Sequence, residues 1–439
     1  MMTGSEQPAS PSILHQIRYT IQADGIQMIL GFITSIILVR YLGPEGNGIL
    51  TKLTYAGNLL LAFASFQFFR GVPYLYQQYG GLQVKQWLTL GIISTFLLGS
   101  LIVLLDARTF HLFSWEHELI FNLLMVVYLM LALGQKCLDV FVQVRTAFRK
   151  LWLFQWLAAT IKLGVAILLM VSFSFLFNHH RIYAGLTVAL IGYIPLLLFA
   201  YLYFKPGIKL GLPSRKFLRN GFGYSGRMWG ITLVSIVINN IPLWYIERKF
   251  DTATLGIYGL ALTLSGLPFT FTLAYKKAIL PFLLSHFKTD AAGCYRLIRL
   301  HNSTLMVIGV LGALAGHFLL PLVYGREFTQ SAPLLVILLV WTAAIGLSTI
   351  LQTIHEAENK LGQPLIYELV IAAGITLSLL AASPWTDLNR TAMIFSSWGI
   401  LLAFLFLNGV RKQFHCSFTD LFLLSRQDIR YYRSVIKAS

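Results

Sequence analysis

Long apolar runs alternate with short polar stretches along the whole chain, and each run is about long enough to form a helix that crosses a bilayer. The pattern predicts about twelve such helices. Their approximate cores are residues 19–39, 52–69, 86–105, 118–136, 153–177, 183–204, 227–246, 255–280, 301–322, 331–352, 363–382 and 392–410. The alternation therefore predicts an all-α polytopic membrane protein.

The first polar stretch, RYLGPEGNG at Arg40–Gly48, separates the first two predicted helices. It contains two charged residues, three glycines and one proline. Glycine and proline favour tight turns over the interior of a helix. The stretch therefore predicts a hairpin whose charged turn lies at the membrane surface.

The composition agrees with a membrane protein and disfavours a soluble enzyme. Of the 439 residues 56% are hydrophobic and 12% are charged, and the mean hydropathy is +0.70, whereas a soluble protein carries roughly 25% charged residues. Cys137, Cys294 and Cys416 lie far apart and form no CxxC motif, so neither a metal cage nor a disulfide framework is indicated. The net charge of +17 is interpreted as basic cytoplasmic loops and not as a nucleic-acid surface.

The distribution of basic residues predicts the orientation of the helices. With the N-terminus in the cytoplasm, most of the 34 lysines and arginines fall in cytoplasmic loops, as the positive-inside rule expects. Residues 1–16 lack the pattern of a cleaved signal peptide, so the first helix is expected to remain as an anchor. The sequence thus predicts a multi-pass protein with both termini in the cytoplasm.

A weak internal repeat indicates two lobes. When the chain is shifted so that Arg40 falls on Arg248, Pro73 falls on Pro281 without a gap. This offset spans six helices, so the two copies share one orientation and should be related by an axis along the membrane normal. Transporters built in this way hold their substrate between the lobes. The predicted parts are an N-terminal lobe at 1–204, a basic cytoplasmic linker at 205–221, a C-terminal lobe at 222–412 and a basic cytoplasmic tail at 413–439.

Four motifs in this order resemble those of bacterial polysaccharide flippases of the multidrug/oligosaccharidyl-lipid/polysaccharide exporter superfamily. They are RYLGPEGNG, KFDTATLGIYGLA at Lys249–Ala261, ILPFLLSHF at Ile279–Phe287 and LVYGREFTQSAPLLVIL at Leu322–Leu338. The resemblance implies a flippase that moves undecaprenyl-pyrophosphate-linked oligosaccharide from the cytoplasmic to the periplasmic leaflet of the bacterial inner membrane. It also implies contacts with membrane lipids, a polysaccharide polymerase and other assembly proteins. The chain departs from the family at Ser65–Tyr76, SFQFFRGVPYLY, where the usual DLG acid is absent.

A lipid-linked pyrophosphate needs cationic side chains in a cavity of low dielectric constant. Lys162 is the first candidate, because it lies near the middle of the fifth predicted helix, where a charge costs roughly 2.5–3.5 kcal/mol on insertion scales. The alternatives for Lys162 are snorkelling to the interface and pairing with a neighbouring helix.

Further candidates lie at helix ends and in the seventh helix. Arg18, Arg70 and Arg227 are predicted at the cytoplasmic ends of helices one, two and seven, where they bind pyrophosphate or simply follow the positive-inside rule. Asn239 and Asn240 are predicted to hydrogen-bond between helices or to contact sugar.

Two acids inside predicted helices, Asp24 and Glu368, are candidates for a coupling H⁺ or Na⁺ site. Asp24 is also read as an interfacial residue, and Glu368 as the partner of a cation in its own lobe. The sequence contains no GxxxxGK[ST] motif, and His355–Asn359 lacks the second histidine of a zinc motif. No cofactor or metal is therefore expected.

Three functions remain after these observations. The first is the flippase working by alternating access, and the second is an exporter of small organic cations or of another lipid-linked precursor. Organic cations would favour acids in the cavity, whereas the deepest charge is Lys162. The third is a membrane-embedded polysaccharide polymerase or ligase, which needs a long outer loop that the pattern does not provide. We therefore expect a transporter and not an enzyme.

Overall fold

The computed structural model describes residues 13–79, 81–106, 126–127, 129–136, 140, 155–168, 194, 211–286 and 291–414, with isolated positions 417, 421 and 428. The helices are α1 (Ile13–Ser65), α2 (Val72–Tyr79), α3 (Gly81–Asp106), α4 (Gln155–Leu168), α5 (Arg215–Lys249), α6 (Thr252–Ser265), α7 (Leu267–His286), α8 (Ala291–Tyr324), α9 (Ser331–Ala357), α10 (Gly362–Ala382) and α11 (Leu388–Phe414). Within these ranges eight helices are long and apolar enough to cross a membrane. The predicted all-α polytopic fold is confirmed.

Some of the predicted segments cannot be compared with the structure. The sixth predicted helix, 183–204, lies outside the described residues except for position 194, as does most of the tail at 413–439. The helices at 118–136 and 153–177 are described only in part. The division into lobes, linker and tail stays a prediction. Residues 215–221 of the predicted linker, however, are the first turns of α5.

The turn predicted at Arg40–Gly48 is confined to a single residue. Helical geometry is broken only at Gly43, where φ is 67° and ψ is −178°, a conformation that glycine adopts without steric cost. Pro44 then begins the second segment of α1, because proline fits the first turn of a helix, where no N–H is needed. The predicted nine-residue turn was therefore too long, since the polar residues after Gly43 are already helical.

Two other helices have different bounds from those predicted. Helix α5 begins at Arg215, where the Ser214 hydroxyl accepts a hydrogen bond from the Phe217 amide at 3.3 Å. The predicted helix at 255–280 is divided into α6 and α7 at Gly266. Asp251 caps α6 by accepting a hydrogen bond from the Thr254 amide at 2.8 Å. Hydrogen bonds from Thr254 hold the pKa of the Asp251 carboxyl below its usual value.

The buried apolar side chains form two main clusters that follow the two halves of the chain. One cluster is built from α1, α2, α3 and residues Leu129, Ala132, Leu133 and Val140, with Phe217 as its contribution from α5. The larger cluster is built mainly from α5 to α11, with Val39, Tyr55 and Ala56 contributed by α1. Each half therefore has its own apolar core, and α1 and α5 contribute side chains to both cores.

Large apolar side chains on the outer helices face away from these cores. Examples are Leu104 in α3, Phe318 in α8 and Leu377 in α10, which are 65%, 74% and 66% exposed. In water such surfaces would favour aggregation, whereas a lipid bilayer solvates them. These helices therefore present the surface expected of a membrane-embedded bundle.

The bundle has two ends. The end that holds the break in α1, the α5–α6 connection and the 3₁₀ turn Arg326–Phe328 is called the Gly43 end. The end that holds the turn at 66–71 and the first residues of α5 and α10 is called the Arg70 end.

Candidate functional site

A cavity of about 1080 Å³ lies between the two halves of the chain. Both segments of α1 and the turn at 66–71 line it on one side, and α5, α6, α7, α9 and α10 line it on the other. Its position between two separately packed cores is that of a binding site between lobes.

The charged lining of the cavity is mainly basic. Of the described residues that line it, four are basic and two are acidic: Arg70, Lys136, Lys276, Lys277, Glu356 and Glu368. The remaining lining is apolar or neutral and polar. The arrangement can therefore hold an anionic group and, beside it, apolar or hydroxyl-bearing groups.

Lys276 and Glu356 form an ion pair across two helices at the cavity wall. The Lys276 ammonium in α7 lies 2.7 Å from Glu356 Oε1 in α9. The Glu356 side chain is 3% exposed and that of Lys276 is 16% exposed. Burial strengthens the attraction between the two charges and also makes either one costly without its partner.

Glu368 and Arg70 flank this pair. Glu368 Oε2 in α10 accepts a hydrogen bond from the Ser235 hydroxyl in α5 at 2.5 Å, and both residues line the cavity. Arg70 is exposed in the turn that follows α1. Among the described residues Arg70 makes no ion pair, so its guanidinium is available to an anion entering the cavity.

Asn239 and Asn240 line the cavity from α5. Each Nδ2 donates to a carbonyl oxygen four residues earlier in the same helix, Ser235 O at 2.7 Å and Ile236 O at 2.8 Å. Both of these hydrogen bonds lie within α5, and among the described residues neither side chain has a hydrogen bond to another helix. The position of both residues on the cavity wall is compatible with the other interpretation, contact with a ligand.

Four of the predicted site residues do not appear at the described cavity wall. Lys162 lies half-buried in α4 and is not among the residues that line this cavity. Arg227 is exposed on α5, where its Nε donates to Gly223 O at 3.0 Å. The side chains of Arg18 and Asp24 lie outside the described residues. The roles predicted for these four residues stay predictions.

A polar cluster joins the two halves at the Gly43 end. Glu247, near the end of α5, forms an ion pair with Lys52 and accepts a hydrogen bond from the Tyr55 hydroxyl, both from the second segment of α1. The Asn47 amide donates to Gly256 O in α6 at 2.7 Å. These contacts close α1 onto α5 and α6 above the cavity.

Glycines allow this close approach of backbones. A Cβ atom on Gly256 would lie 1.8 Å from Pro44 O, and one on Gly48 would lie 2.1 Å from Thr252 O. Both distances are far below van der Waals contact, so a larger residue would force α1 and α6 apart. The GIYG and GPEGNG motifs thus have a structural explanation as the two surfaces of one helix contact.

The first half of α1 is tied to α8 at the same end. The hydroxyl oxygens of Ser35 and Tyr324 are 2.8 Å apart, and Arg40 Nη2 donates to Leu322 O at 2.9 Å. Both segments of α1 are therefore held against the second half of the chain at the Gly43 end.

At the Arg70 end the contacts between the halves involve different elements. The rings of Tyr74 in α2 and Tyr224 in α5 are stacked, with centroids 4.6 Å apart. Asn359, after α9, donates to the Tyr74 hydroxyl at 3.4 Å. The α2 helix thus contacts the second half at this end. The last turn of α1 also takes part, because the Trp229 indole in α5 donates to Ala62 O at 2.9 Å.

Sequence reasoning missed Lys276, Lys277 and Glu356. The two lysines lay inside a predicted helix, in TLAYKKAILPF, and a charge inside a span was the signal that would have found them. Glu356 had been considered only as part of an incomplete zinc motif. Its partner is 80 residues away, so the pair itself was beyond the reach of a helix-by-helix interpretation.

Comparisons with known proteins identify the family. Residues 82–333, more than half of the chain, match the model of a family described as polysaccharide biosynthesis protein. No curated protein matches the chain significantly. The matched range includes two of the four motifs completely, at Lys249–Ala261 and Ile279–Phe287.

Solved structures share the fold at low sequence identity. The MATE multidrug transporter DinF-BH is 15% identical with a TM-score of 0.65, and the match covers 97% of this chain and 100% of that one. A Vibrio cholerae MATE transporter is 13% identical with a TM-score of 0.63 over 91% and 96% of the two chains. A MOP superfamily transporter from Pyrococcus furiosus, for which reverse polarity of the binding pocket suggests a different function, is 11% identical with a TM-score of 0.60 over 94% and 99%. The chain has the fold of MATE-type transporters and belongs to the polysaccharide biosynthesis protein family.

Proposed function

We propose that the protein translocates a lipid-linked oligosaccharide, carried on undecaprenyl pyrophosphate, from the cytoplasmic to the periplasmic leaflet of the bacterial inner membrane. The observation that carries this proposal is the charge of the cavity, which four basic and two acidic side chains line. A pyrophosphate is a compact, multiply charged anion, and lysine and arginine bind such groups most strongly where water is partly excluded.

Arg70 and Lys276 are the proposed pyrophosphate ligands. Arg70 is exposed in the turn at 66–71, and its guanidinium has two N–H groups placed to bind two phosphate oxygens at once. Lys276 is paired with Glu356 in the present state. When a pyrophosphate binds, its oxygens compete with the Glu356 carboxylate for the Lys276 ammonium, so the ion pair loosens as the ligand enters.

Alternating access accounts for the asymmetry of the two ends. The cluster around Glu247 closes the Gly43 end, which in the proposed topology faces the periplasm. Arg70 and Lys136 are exposed and line the cavity, and Arg70 lies at the opposite end, where a precursor made in the cytoplasm would arrive. Release would then require α1 to separate from α5 and α6 at the Gly43 end.

The comparisons support a polysaccharide-related substrate over small organic cations. The family description concerns polysaccharide biosynthesis, and the DinF-BH protein, described as a multidrug transporter, supports transport by this fold. A mainly basic wall disfavours cationic cargo, since like charges would face each other across a partly desolvated site. Coupling to H⁺ or Na⁺ through Asp24 or Glu368, and assembly with a polysaccharide polymerase, remain part of the proposal.

A deletion strain of the source organism tests the proposal. Wild-type protein is expected to restore surface polysaccharide, whereas Lys276→Met is expected to leave lipid-linked precursor accumulated in the membrane. Lys216→Met is the matched control, because Lys216 is an exposed lysine of α5 that does not line the cavity. Unchanged surface polysaccharide after deletion, or full complementation by Lys276→Met, would contradict the proposal.

A further inference from the structure

Two glutamines on opposite walls of the cavity have buried amide atoms that no described residue satisfies. Gln67 is 4% exposed and Gln352 is 7% exposed, and both line the cavity. Within the described part of the chain, Gln67 Oε1 and Gln352 Nε2 have no hydrogen-bond partner. Leaving such groups unpaired costs free energy, so their retention on a cavity wall points to a ligand that supplies the partners.

Gln67 is held at the wall by a strained turn. Phe66 and Gln67 have φ values of 44° and 51°, in the left-handed region that residues other than glycine rarely occupy. The turn is fixed by the Trp87 indole, which donates to Phe68 O at 3.0 Å, and by the Arg70 amide, which donates to Gln67 O at 3.0 Å. Such strain persists where surrounding contacts maintain it, and it is concentrated at binding sites.

Gln352 occupies an ordinary helical position on the opposite wall. It lies four residues before Glu356 in α9, and residues with this spacing share one face of a helix. Gln67 lies three residues before Arg70 in the turn. Each glutamine is therefore a close neighbour in sequence of a charged residue in the proposed pyrophosphate site.

We infer that Gln67 and Gln352 form a neutral subsite for the sugar that is attached to the pyrophosphate, an inference that rests on the proposed function. A carbonyl oxygen accepts from a hydroxyl or amide N–H, and an amide N–H donates to a hydroxyl, ring or acetamido oxygen. The two groups come from different halves of the chain, so a glycan that satisfies both contacts both halves. A site built to hydrogen-bond a ligand discriminates strongly against an analogue that lacks those groups.

Binding to the full-length protein in nanodiscs tests this subsite. The probes are polyprenyl pyrophosphate without sugar and the same lipid bearing glucose or N-acetylglucosamine. Wild-type protein should bind at least one sugar-bearing probe more tightly than the sugarless one. Gln67→Met and Gln352→Met should each weaken that sugar-bearing probe by roughly tenfold, the factor for one hydrogen bond, and leave the sugarless probe unchanged.

Gln413→Met is the matched control, because Gln413 Oε1 is also buried without a described partner but does not line the cavity. Its affinity for all probes should equal that of the wild type. The inference is overturned if wild-type protein shows no sugar preference, or if the cavity variants weaken all probes equally or none. Binding of no probe by the wild type would instead contradict the proposed function. Gln352→Met keeps the test valid if Gln67→Met disturbs the strained turn.

Discussion

At the scale of single residues, the cavity wall contains the buried ion pair of Lys276 and Glu356, and both basic and acidic side chains line the cavity beside it. Four residues that the sequence singled out lie at the cavity wall, namely Arg70, Asn239, Asn240 and Glu368, and their roles stay predictions. The sequence did not identify the pairing of Lys276 with Glu356, since that contact depends on how two helices pack. Lys162 was singled out by its depth along a helix and is not among the described residues that line the cavity, so its predicted role stays a prediction.

Removing one member of the Lys276–Glu356 pair should destabilise the protein more than removing both. Lys276→Met leaves the Glu356 carboxylate buried without its partner, which costs about 3–5 kcal/mol in comparable buried pairs. The double variant Lys276→Met/Glu356→Gln removes both charges and should recover most of that loss. Thermal unfolding in detergent gives the melting temperatures of the wild type, the single variant and the double variant. Equal melting temperatures for the two variants would show that the stabilities contributed by Lys276 and Glu356 are not coupled.

Lys162 and Lys276 provide a direct comparison of the sequence hypothesis with the cavity. Because Lys276 lines the cavity and Lys162 does not, Lys276→Ala should abolish polysaccharide export and Lys162→Ala should reduce it less. Surface polysaccharide is measured at matched protein levels in the membrane. If Lys162→Ala abolished export and Lys276→Ala did not, Lys162 and not Lys276 would be the phosphate ligand.

At the scale of helices, α1 packs against α5 and α6 at the Gly43 end. The turn motif predicted the bend in α1 but not these contacts. The hairpin between the first two helices could be predicted from glycine and proline. The close approach of α1 to α6 could not, because Gly48 and Gly256 meet only in the folded bundle. The bounds of α5 were also underestimated, since its polar first turns, capped by Ser214, extend beyond the apolar run.

Adding one methyl group at the α1–α6 contact should separate the helices. In Gly256→Ala the new Cβ would meet Pro44 O at 1.8 Å, and overpacking of this kind costs about 1–3 kcal/mol. Spin labels at exposed Glu45 and Arg248 should then report a longer mean distance. Gly223→Ala is the control, because no atom lies within 4 Å of a Cβ at that position, and an unchanged distance in Gly256→Ala would refute the contact.

The polar cluster around Glu247 should make a smaller contribution to the same closure. Lys52 and Glu247 are 33% and 28% exposed, and such partly exposed pairs contribute roughly 0–1 kcal/mol. Glu247→Gln should therefore increase the population with a long distance between the same two spin labels. The ratio of the long-distance to the short-distance population should change by about fivefold at most. The charge swap Lys52→Glu/Glu247→Lys should restore part of the closed population, whereas failure of the swap to differ from Glu247→Gln would argue against the ion pair.

At the scale of the whole molecule, the spacing of the apolar runs and the low share of charged residues were sufficient to predict the class of fold. Hydropathy identifies membrane helices because lipid requires every backbone polar group to be satisfied within the span. The predicted repeat indicated that a cavity would lie between two halves of the chain, but not which side chains would line it. Its basic lining depends on side chains from helices far apart in sequence, and these could be brought together only by the folded structure.

A translocation assay with purified protein determines whether the chain moves a lipid-linked oligosaccharide across a bilayer. Proteoliposomes would contain a fluorescent polyprenyl-pyrophosphoryl oligosaccharide, and a membrane-impermeant reductant would quench the probe in the outer leaflet. Wild-type protein is expected to expose the inner-leaflet probe to quenching, whereas the folded double variant Lys276→Met/Glu356→Gln is not. Quenching that is the same with wild-type protein, with the double variant and without protein would contradict the account.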